Sequence, residues 1–202
     1  MTLETETLAT VRLSLRALRA DDANALFAMR ADVEATRYWS SPPWTEIAQA
    51  EAHLSDACAP AAGTFLRQFG IERRADGALI GTCSLFDHVA DSHRAELGYF
   101  LGRPFWGQGL AREAVMALLD HGFGALNLNR IEADVDPRNV ASVRLLEWLG
   151  FVREGLLRQR WIVAGEVSDS AVYGLLKEEW RGLLAKMNRP GDHPPGRSAM
   201  QL

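Results

Sequence analysis

The sequence predicts a mixed α/β fold in one domain, and three observations support this. The 202 residues are enough for one sizeable core, and a composition of 48% hydrophobic and 24% charged residues is ordinary for a globular protein. Segments that alternate in polarity, as strands do, are interspersed with segments of helical periodicity. A strand, a glycine-rich loop, a helix and another strand follow one another over residues 94–135, which predicts a right-handed parallel crossover.

The first half of the chain is predicted to hold a strand, two helices and a hairpin. Residues 11–16 alternate as a half-buried strand, and Asp21-Asp22 can cap a helix that carries Leu26, Met29 and Val33. After an aromatic and proline-rich loop, Thr45 can cap a second helix with apolar residues at helical spacing: Ile47, Ala50, Leu54 and Ala57. Strands are expected over 65–73 and 79–86, and Asp76-Gly77 between them is a strong hairpin signal.

The second half is predicted to alternate strands and helices before a terminal hairpin. Strands are expected at 94–101 and 130–135, and helices from about 110 to 122 and from Val140 to Leu149, the latter ended by Gly150. The hairpin is expected over 151–163 and 167–175 around Ala164-Gly165, followed by a last helix to Met187. The domain is therefore expected over residues 1–187, and the Pro-, Gly- and polar-rich residues 188–202 are predicted to be a disordered tail.

Composition and charge exclude several classes of function. A formal charge of -4 and a pI near 5.8 disfavour nucleic-acid binding. The acidic start lacks the pattern of a signal peptide and no apolar run is long enough to cross a membrane, so a cytoplasmic protein with no membrane partner is expected. Cys58 and Cys83 are expected to be reduced and mostly buried, and the five histidines lack the spacing of metal ligands, so no metal is predicted.

The glycine loop Trp106-Gly107-Gln108-Gly109-Leu110-Ala111 is the most informative motif. It precedes a predicted helix, whose first N–H groups and positive dipole end suit a phosphate. A Walker loop is excluded because the chain has no Gly-Lys pair, and the dinucleotide fingerprint fails because Arg112 stands at its third glycine. A purely structural turn remains the alternative at this point.

Together with its neighbours, the loop resembles a known family. The strand Glu96-Leu97-Gly98-Tyr99-Phe100-Leu101, the loop, the helix start Asn139-Val140-Ala141-Ser142 and Leu149-Gly150-Phe151 are similar to the GNAT superfamily of acyl-CoA-dependent N-acyltransferases, over roughly residues 8–187. Within it, the chain looks most like the Rim-type branch, which includes enzymes that acetylate N-terminal amines of ribosomal proteins. The resemblance implies a mixed, mostly antiparallel sheet of about seven strands, helices on both faces, and two splayed parallel strands at 94–101 and 130–135.

The resemblance also implies acetyl-CoA as the co-substrate. Its pyrophosphate would bind the amides of residues 107–112, and its pantetheine arm would pair with the unpaired strand edge at Phe100 and Leu101. Gly98 or Gly102 would provide the bulge that parts the strands, with a tight turn as the alternative for Gly102. Trp106 replaces the polar residue common in the family and adds an apolar wall. The implied cofactor-binding residues are Phe100, Leu101, Trp106, Gly107, Gln108, Gly109, Leu110, Ala111, Arg112, Asn139 and Ser142.

Glu96 and Ser142 are the candidate catalytic residues. An amine must be neutral to attack, and alternation puts Glu96 on one strand face with Gly98 and Phe100, which suits a general base acting directly or through water; a solvated Glu96 paired with Arg94 is the alternative. The tyrosine that many family members use to protonate the thiolate is replaced by Leu146. Similarity to the Rim-type branch gives that role to Ser142, with helix capping as the alternative and Tyr173 as the reserve acid.

The acceptor amine is the open question. Residues expected to wall its pocket are Tyr38, Trp39, Trp44, Arg160, Trp161 and Tyr173. Direct transfer from acetyl-CoA to a protein or peptide N-terminal amine is the favoured function, without an acyl-enzyme on Cys83. A small-molecule amine such as an amino acid, polyamine or antibiotic, and a non-catalytic acyl-CoA sensor, are the alternatives. The terminal hairpin and last helix offer surface for a homodimer, which the residue pattern does not decide.

Overall fold

The strands of the chain form one mixed sheet, and its helices pack on both faces. The structure, a computed structural model, describes residues 6–58 and 65–187. The strands are β1 (Leu8–Ala9), β2 (Leu13–Arg16), β3 (Phe65–Arg73), β4 (Ala78–Val89), β5 (Arg94–Leu101), β6 (Arg130–Val135), β7 (Val152–Val163) and β8 (Glu166–Leu176). The helices are α1 (Ala23–Arg30), α2 (Ile47–Cys58), α3 (Leu110–Phe123), α4 (Val140–Trp148) and α5 (Lys177–Met187).

The sheet has the order β1-β2-β3-β4-β5-β6-β8-β7 and is antiparallel except for one pair. That pair is β5 with β6, and it is joined only through Arg94↔Arg130, Ala95↔Ile131 and Glu96↔Glu132. Both strands continue beyond the last paired position, to Leu101 and Val135. The sheet is therefore open between their carboxyl ends, as the resemblance implied.

Alternation along β5 divides the core into two apolar clusters. Ala95, Leu97 and Leu101 belong to the large cluster under α3, α4 and α5, whereas Phe100 packs with residues of α1 and α2. Phe100 is 4% exposed. Because Glu96 lies four residues before Phe100 in the same strand, both side chains lie on the α1–α2 side of the sheet. This confirms the predicted division of the strand.

The turns follow local sequence signals closely. Gly77 has a φ of +71° and its N–H bonds to the Arg73 carbonyl at 2.8 Å, which closes the predicted Asp76-Gly77 hairpin between β3 and β4. Gly150, with a φ of +88°, follows the end of α4 as expected. The terminal hairpin turns at Ala164 and Gly165, which both have positive φ.

Several expectations need correction. The sheet has eight strands rather than about seven, because the two-residue β1 adds to β2 through Leu8↔Leu15. Helix α1 ends at Arg30, so Val33 lies outside it and is 70% exposed. Neither Gly98 nor Gly102 forms a bulge against β4, since the pairing is regular from Phe86↔Glu96 to Gly81↔Leu101; Gly102 instead begins a 3₁₀ turn.

The expectations for the tail, the cysteines, membrane helices and metal ligands can be compared only with the described residues. The predicted tail at 188–202 and the Cys58 side chain lie outside them, whereas Cys83 is buried and free. Across residues 6–58 and 65–187, no helix is long and apolar enough to cross a membrane. Within the same ranges, no three His, Cys, Asp or Glu side chains are grouped as metal ligands.

Candidate active site

A cavity of about 1200 Å³ lies where β5 and β6 separate. Its walls come from the segment after α1, the carboxyl half of β5, the glycine loop, the start of α4 and the β7–β8 hairpin. These elements are far apart in sequence and meet only because the sheet is open here. A concave site with a few convergent polar groups is the usual form of a small-molecule site.

The glycine loop enters the cavity in a conformation that requires its glycines. Gly107 and Gly109 have φ values of +72° and +71°, where a Cβ is strained. No heavy atom lies within 4 Å of a Cβ built at Gly107, so backbone conformation rather than space demands glycine there. Gly109 is the N-cap of α3, and the backbone N–H groups of the first helical turn are left for a ligand anion.

Contacts behind the loop hold it in place. Arg12 donates to the Gln108 carbonyl at 2.9 Å and pairs with Glu113 at 2.6 Å. Glu113 also accepts a 2.6 Å hydrogen bond from the hydroxyl of Thr10. The Gln108 Nε2 turns back and donates to the Pro104 carbonyl at 3.0 Å, and Gln108 is not among the residues that line the cavity.

The open edge of β5 presents the backbone of Tyr99 and Leu101. Gly102 donates to the Ile80 carbonyl of β4, so alternation directs Phe100 toward β4 and Leu101 toward the gap. The indole Nε1 of Trp106 donates to the Leu101 carbonyl at 2.7 Å. The expectation that the backbone of Phe100 pairs with the pantetheine arm is therefore wrong. Its backbone faces β4, and its side chain lines the cavity.

At the start of α4, Asn139 and Ser142 face the same cavity. The Asn139 Oδ1 accepts a 3.1 Å hydrogen bond from the Ser142 N–H, which is the capping role expected for Asn139 and leaves its Nδ2 for a ligand. The Ser142 Oγ lies 2.6 Å from the Tyr99 hydroxyl. Burial raises the pKa of Tyr99 to about 12, so its hydroxyl stays protonated near neutral pH and can donate to Ser142.

Glu96 is partly buried on the cavity wall, on the α1–α2 side of the gap. Burial is the largest cause that raises its pKa to about 7, and the nearby carboxylates of Asp134, Asp87 and Glu132 add to it, against Arg160. A carboxylate with this pKa changes protonation at neutral pH. Arg94, the alternative partner of Glu96, instead pairs with Glu132.

Aromatic and charged side chains form the outer walls of the cavity. Tyr38, Trp39 and Trp44 line one side, and Arg160 and Trp161 of β7 line another. Trp161 is 38% exposed, and the Arg160 guanidinium lies 4.0 Å from Asp134. The cavity thus joins the glycine loop, an open strand edge and the Glu96 carboxylate, whose pKa is about 7, to an aromatic mouth.

Comparison with known proteins gives the family. Residues 12–152 match the model of the acetyltransferase (GNAT) domain. The chain is a GNAT acetyltransferase. An uncharacterised N-acetyltransferase of Bacillus licheniformis, p20, is 41% identical over 177 residues, which is 88% of this chain and 99% of the relative.

Two solved structures of similar fold differ in acceptor. Spermidine N-acetyltransferase of Vibrio cholerae, in complex with CoA and spermine, has a TM-score of 0.75 at 26% identity and covers 85% of this chain and 99% of its own. A candidate ribosomal-protein-serine acetyltransferase of the same organism has a TM-score of 0.66 at 27% identity, with 86% and 98% covered. Both are described as acetyltransferases, and the acceptors in their names differ.

Most predicted site residues of the GNAT acetyltransferase meet at the cavity, but Gln108 and Tyr173 are not among the residues that line it. Tyr173 is 2% exposed in the large core cluster, next to Glu147; it pairs with Ala133 of the cavity wall but does not line the cavity itself. Its expected roles as substrate contact and reserve acid have no support from this position. Alternation alone could not have shown which face of β8 meets the cavity.

Tyr99 and Arg30 are among the residues of the GNAT acetyltransferase cavity that the sequence did not predict. Tyr99 reaches Ser142 from β5. Alternation along the strand puts Tyr99 on the opposite face from Glu96 and Phe100, and this was the sequence signal that could have placed it on the other side of the gap. Arg30 lines the cavity from the end of α1. A lone arginine at a helix end carries no sequence signal, because it is favourable at that end for any helix.

Proposed function

We propose that the protein transfers the acetyl group of acetyl-CoA directly to the N-terminal amine of a peptide or protein. The observation that carries the proposal is the meeting of Glu96, the glycine loop and the Tyr99–Ser142 pair in one cavity. These groups supply a base, a pyrophosphate site and an acid on the two sides of an open strand edge.

Acetyl-CoA would be held by backbone groups more than by side chains. The amides from Gly107 to Arg112 suit the pyrophosphate, since they open a 14-residue helix. The amide-like pantetheine arm can pair with Tyr99 and Leu101 as an added strand would, and the Asn139 Nδ2 can donate to its carbonyls. The CoA complex of the similar Vibrio enzyme supports this use of the cavity.

The reaction would need three groups of this chain. Glu96 removes a proton from the attacking ammonium, directly or through water, which its pKa of about 7 allows near neutral pH. A backbone N–H near Leu101 stabilises the oxyanion of the tetrahedral intermediate. Glu96 releases the first proton to solvent and takes the second proton of the nitrogen as the tetrahedral intermediate collapses. Ser142 gives its proton to the departing thiolate, Tyr99 passes its own proton to Ser142, and solvent returns a proton to Tyr99. The C–N bond forms, the C–S bond breaks, and CoA leaves as the thiol.

Direct transfer is favoured over an acyl-enzyme. Cys83 is 1% exposed, and burial raises the pKa of its thiol far above the neutral range. A buried neutral thiol is a poor nucleophile. The Cys83→Ala variant should therefore keep its acetyl transfer.

The aromatic mouth supports an extended acceptor. Tyr38, Trp39 and Trp44 face Arg160 and Trp161 across an open cavity that a peptide chain can enter. A panel of peptides, amino acids, spermidine and an aminoglycoside, each mixed with acetyl-CoA and followed by release of free thiol, tests the proposal. Better turnover of spermidine or the aminoglycoside than of every peptide would reject it, and tight acetyl-CoA binding without thiol release would favour a sensor.

We also infer a cytoplasmic homodimer with one catalytic domain over residues 1–187. A buried free thiol fits a reducing compartment. β7 is a 12-residue edge strand whose exposed apolar side chains a second copy would cover: Val152, Leu156, Leu157 and Ile162. Light scattering should give twice the monomer mass for the wild-type protein and the monomer mass for Ile162→Lys. A monomer mass for the wild-type protein would reject the dimer.

A further inference from the structure

One end of the cavity holds a cation among aromatic rings. We name it the Arg30 corner, formed by Arg30, Trp39, Trp44, His53 and Gln68, all of which line the cavity. The guanidinium carbon of Arg30 lies 4.4 Å from the Trp39 ring centroid and 5.1 Å from that of Trp44. Arg30 is the last residue of α1, so the helix fixes the base of its side chain.

The charge of Arg30 has no carboxylate partner among the described residues. Its Nη2 donates to the hydroxyl of Ser41 at 3.1 Å, and its buried Nε has no hydrogen-bond acceptor there. By contrast, the buried Arg16 is paired with both Asp22 and Glu72. Burial lowers the pKa of Arg30 to about 10, and no nearby carboxylate opposes this effect.

A second polar atom in the same corner is also unsatisfied. Gln68 contacts the ring of His53 through Nε2, at 3.0 Å from the histidine Nε2, and its buried Oε1 has no partner among the described residues. Burial and the charge of Arg30 lower the pKa of His53, against the opposite effect of the Asp56 carboxylate, so the ring is neutral near pH 7. Among the five residues of the corner, Arg30 therefore carries a positive charge and none carries a negative one; the carboxylate of Asp56 acts on His53 but forms no ion pair with Arg30.

A buried charge is costly unless it is paired. The aromatic rings stabilise the guanidinium, but they give its Nε no acceptor. A planar guanidinium already stripped of water matches the two oxygens of a carboxylate. The ligand that completes this corner is therefore an anion, and a polycationic amine is repelled by it.

The distance to Glu96 selects among carboxylate-bearing amines. The guanidinium carbon of Arg30 lies 5.3 Å from the centroid of the Phe100 ring. Phe100 and Glu96 are four residues apart on β5, which separates them by about 13 Å at ~3.3 Å per residue. The amine and carboxylate of a free α-amino acid are too close together to reach both ends. An extended peptide advances about 3.3 Å per residue, so an acidic side chain near its start can do so.

We propose that the Arg30 corner is an anion subsite that binds a carboxylate of the acceptor, so that the enzyme selects peptides with an acidic residue in the second or third position. The inference rests on the proposed acetyl transfer to N-terminal amines. It adds a charge preference that neither the fold nor the family match assigns.

Matched peptides test the subsite. Two short peptides differ only by Glu or Gln at the second position, and a second pair differs in the same way at the third. In one pair at least, kcat/KM of the wild-type protein should be about 10- to 100-fold higher for Glu, the range of a charged hydrogen bond. Arg30→Met should remove that preference by slowing only the Glu peptide, and Arg30→Lys should restore part of it.

The control is Arg181→Met, at an exposed arginine of α5 away from the cavity, which should leave the preference unchanged. Equal kcat/KM for Glu and Gln peptides in both pairs would overturn the proposal, as would a preference that survives in Arg30→Met. Because Arg30→Met can also disturb the packing of the tryptophans, thermal melting is recorded for each variant. If it does not fold, the wild-type pairs and Arg30→Lys still decide.

A binding experiment separates this inference from the proposed function. The same peptides are titrated into the CoA-loaded protein, and the heat of binding is followed by calorimetry. If no acceptor releases thiol, acetyl transfer to peptides fails, yet tighter binding of a Glu peptide still supports the subsite. Equal binding of Glu and Gln peptides overturns the subsite whatever the turnover.

Discussion

Replacing Glu96 with Gln tests the base most directly. The amide keeps the size of the side chain and cannot accept the proton, so kcat/KM for the acceptor should fall about 100-fold, at the lower end of general-base effects because a water can intervene. Thiol release from acetyl-CoA is the assay. Glu178→Gln, at an exposed residue of α5, is the matched control and should behave as wild type.

The pH dependence of the same variant gives a sharper result. In the wild-type protein, both Glu96, with a pKa of about 7, and an N-terminal amine of pKa roughly 7.7 to 8.0 must lose a proton. The slope of log kcat/KM against pH should therefore approach about two on the acid side, and about one in Glu96→Gln, where only the amine titrates. Equal slopes, or equal rates at the plateau, would refute the role of Glu96 as base.

Stability should change in the opposite direction to activity. The pKa of Glu96 is raised from 4.5 to about 7, so the folded protein loses stability as pH rises through 7 and this group ionises. The full difference would be about 3 kcal/mol, and partial exposure reduces it to about 1 to 2 kcal/mol. In urea unfolding, Glu96→Gln should exceed wild type by that amount above pH 7 and match it near pH 4.5; no gain above pH 7 contradicts the raised pKa.

The remaining predictions concern the acid and the cofactor loop. Ser142→Ala should lower kcat by about tenfold or more, and Tyr99→Phe should lower it by less. Because the two hydroxyls act as one unit, the loss in the double variant should be smaller than the product of the two single losses. Additive losses of activation free energy would contradict proton transfer from Tyr99 through Ser142. Gly109→Ala should cost about 1 to 2 kcal/mol in unfolding free energy, since its φ is +71°, and raise the Kd for acetyl-CoA by calorimetry; an unchanged Kd contradicts a loop role. Trp106→Ala should weaken acetyl-CoA binding and leave the ranking of acceptors unchanged, which the amine panel checks.

Local chemistry explains why so much of the fold was predictable. Asp76-Gly77 fixes a tight turn, and alternation along β5 assigns Glu96 and Phe100 to one face without any tertiary information. The two-residue β1 escaped prediction because it is too short to show a period. Its place is decided by pairing with β2, which is a tertiary event.

The site was predictable in its motifs and not in its contacts. Gly107 and Gly109 could be identified because a backbone with positive φ favours glycine, so the conformation can be inferred from the residue type. The Tyr99–Ser142 pair joins residues 43 positions apart and depends on the angle at which β5 and β6 separate. The same reason applies to Tyr173, whose burial is decided by the packing of the sheet and not by its own sequence neighbourhood.

The hydrogen bond from Trp106 to the Leu101 carbonyl also affects which chains can pair with the open edge of β5. A gap in a sheet is a template for any stray β-strand, including one from a partly unfolded neighbour. An invading strand needs both donors and acceptors along the edge, and the indole already occupies one acceptor. The gap is thus a poorer template for a peptide strand at Leu101, while the Leu101 N–H remains open to an amide chain such as pantetheine; we expect Trp106→Ala to aggregate more readily than wild type.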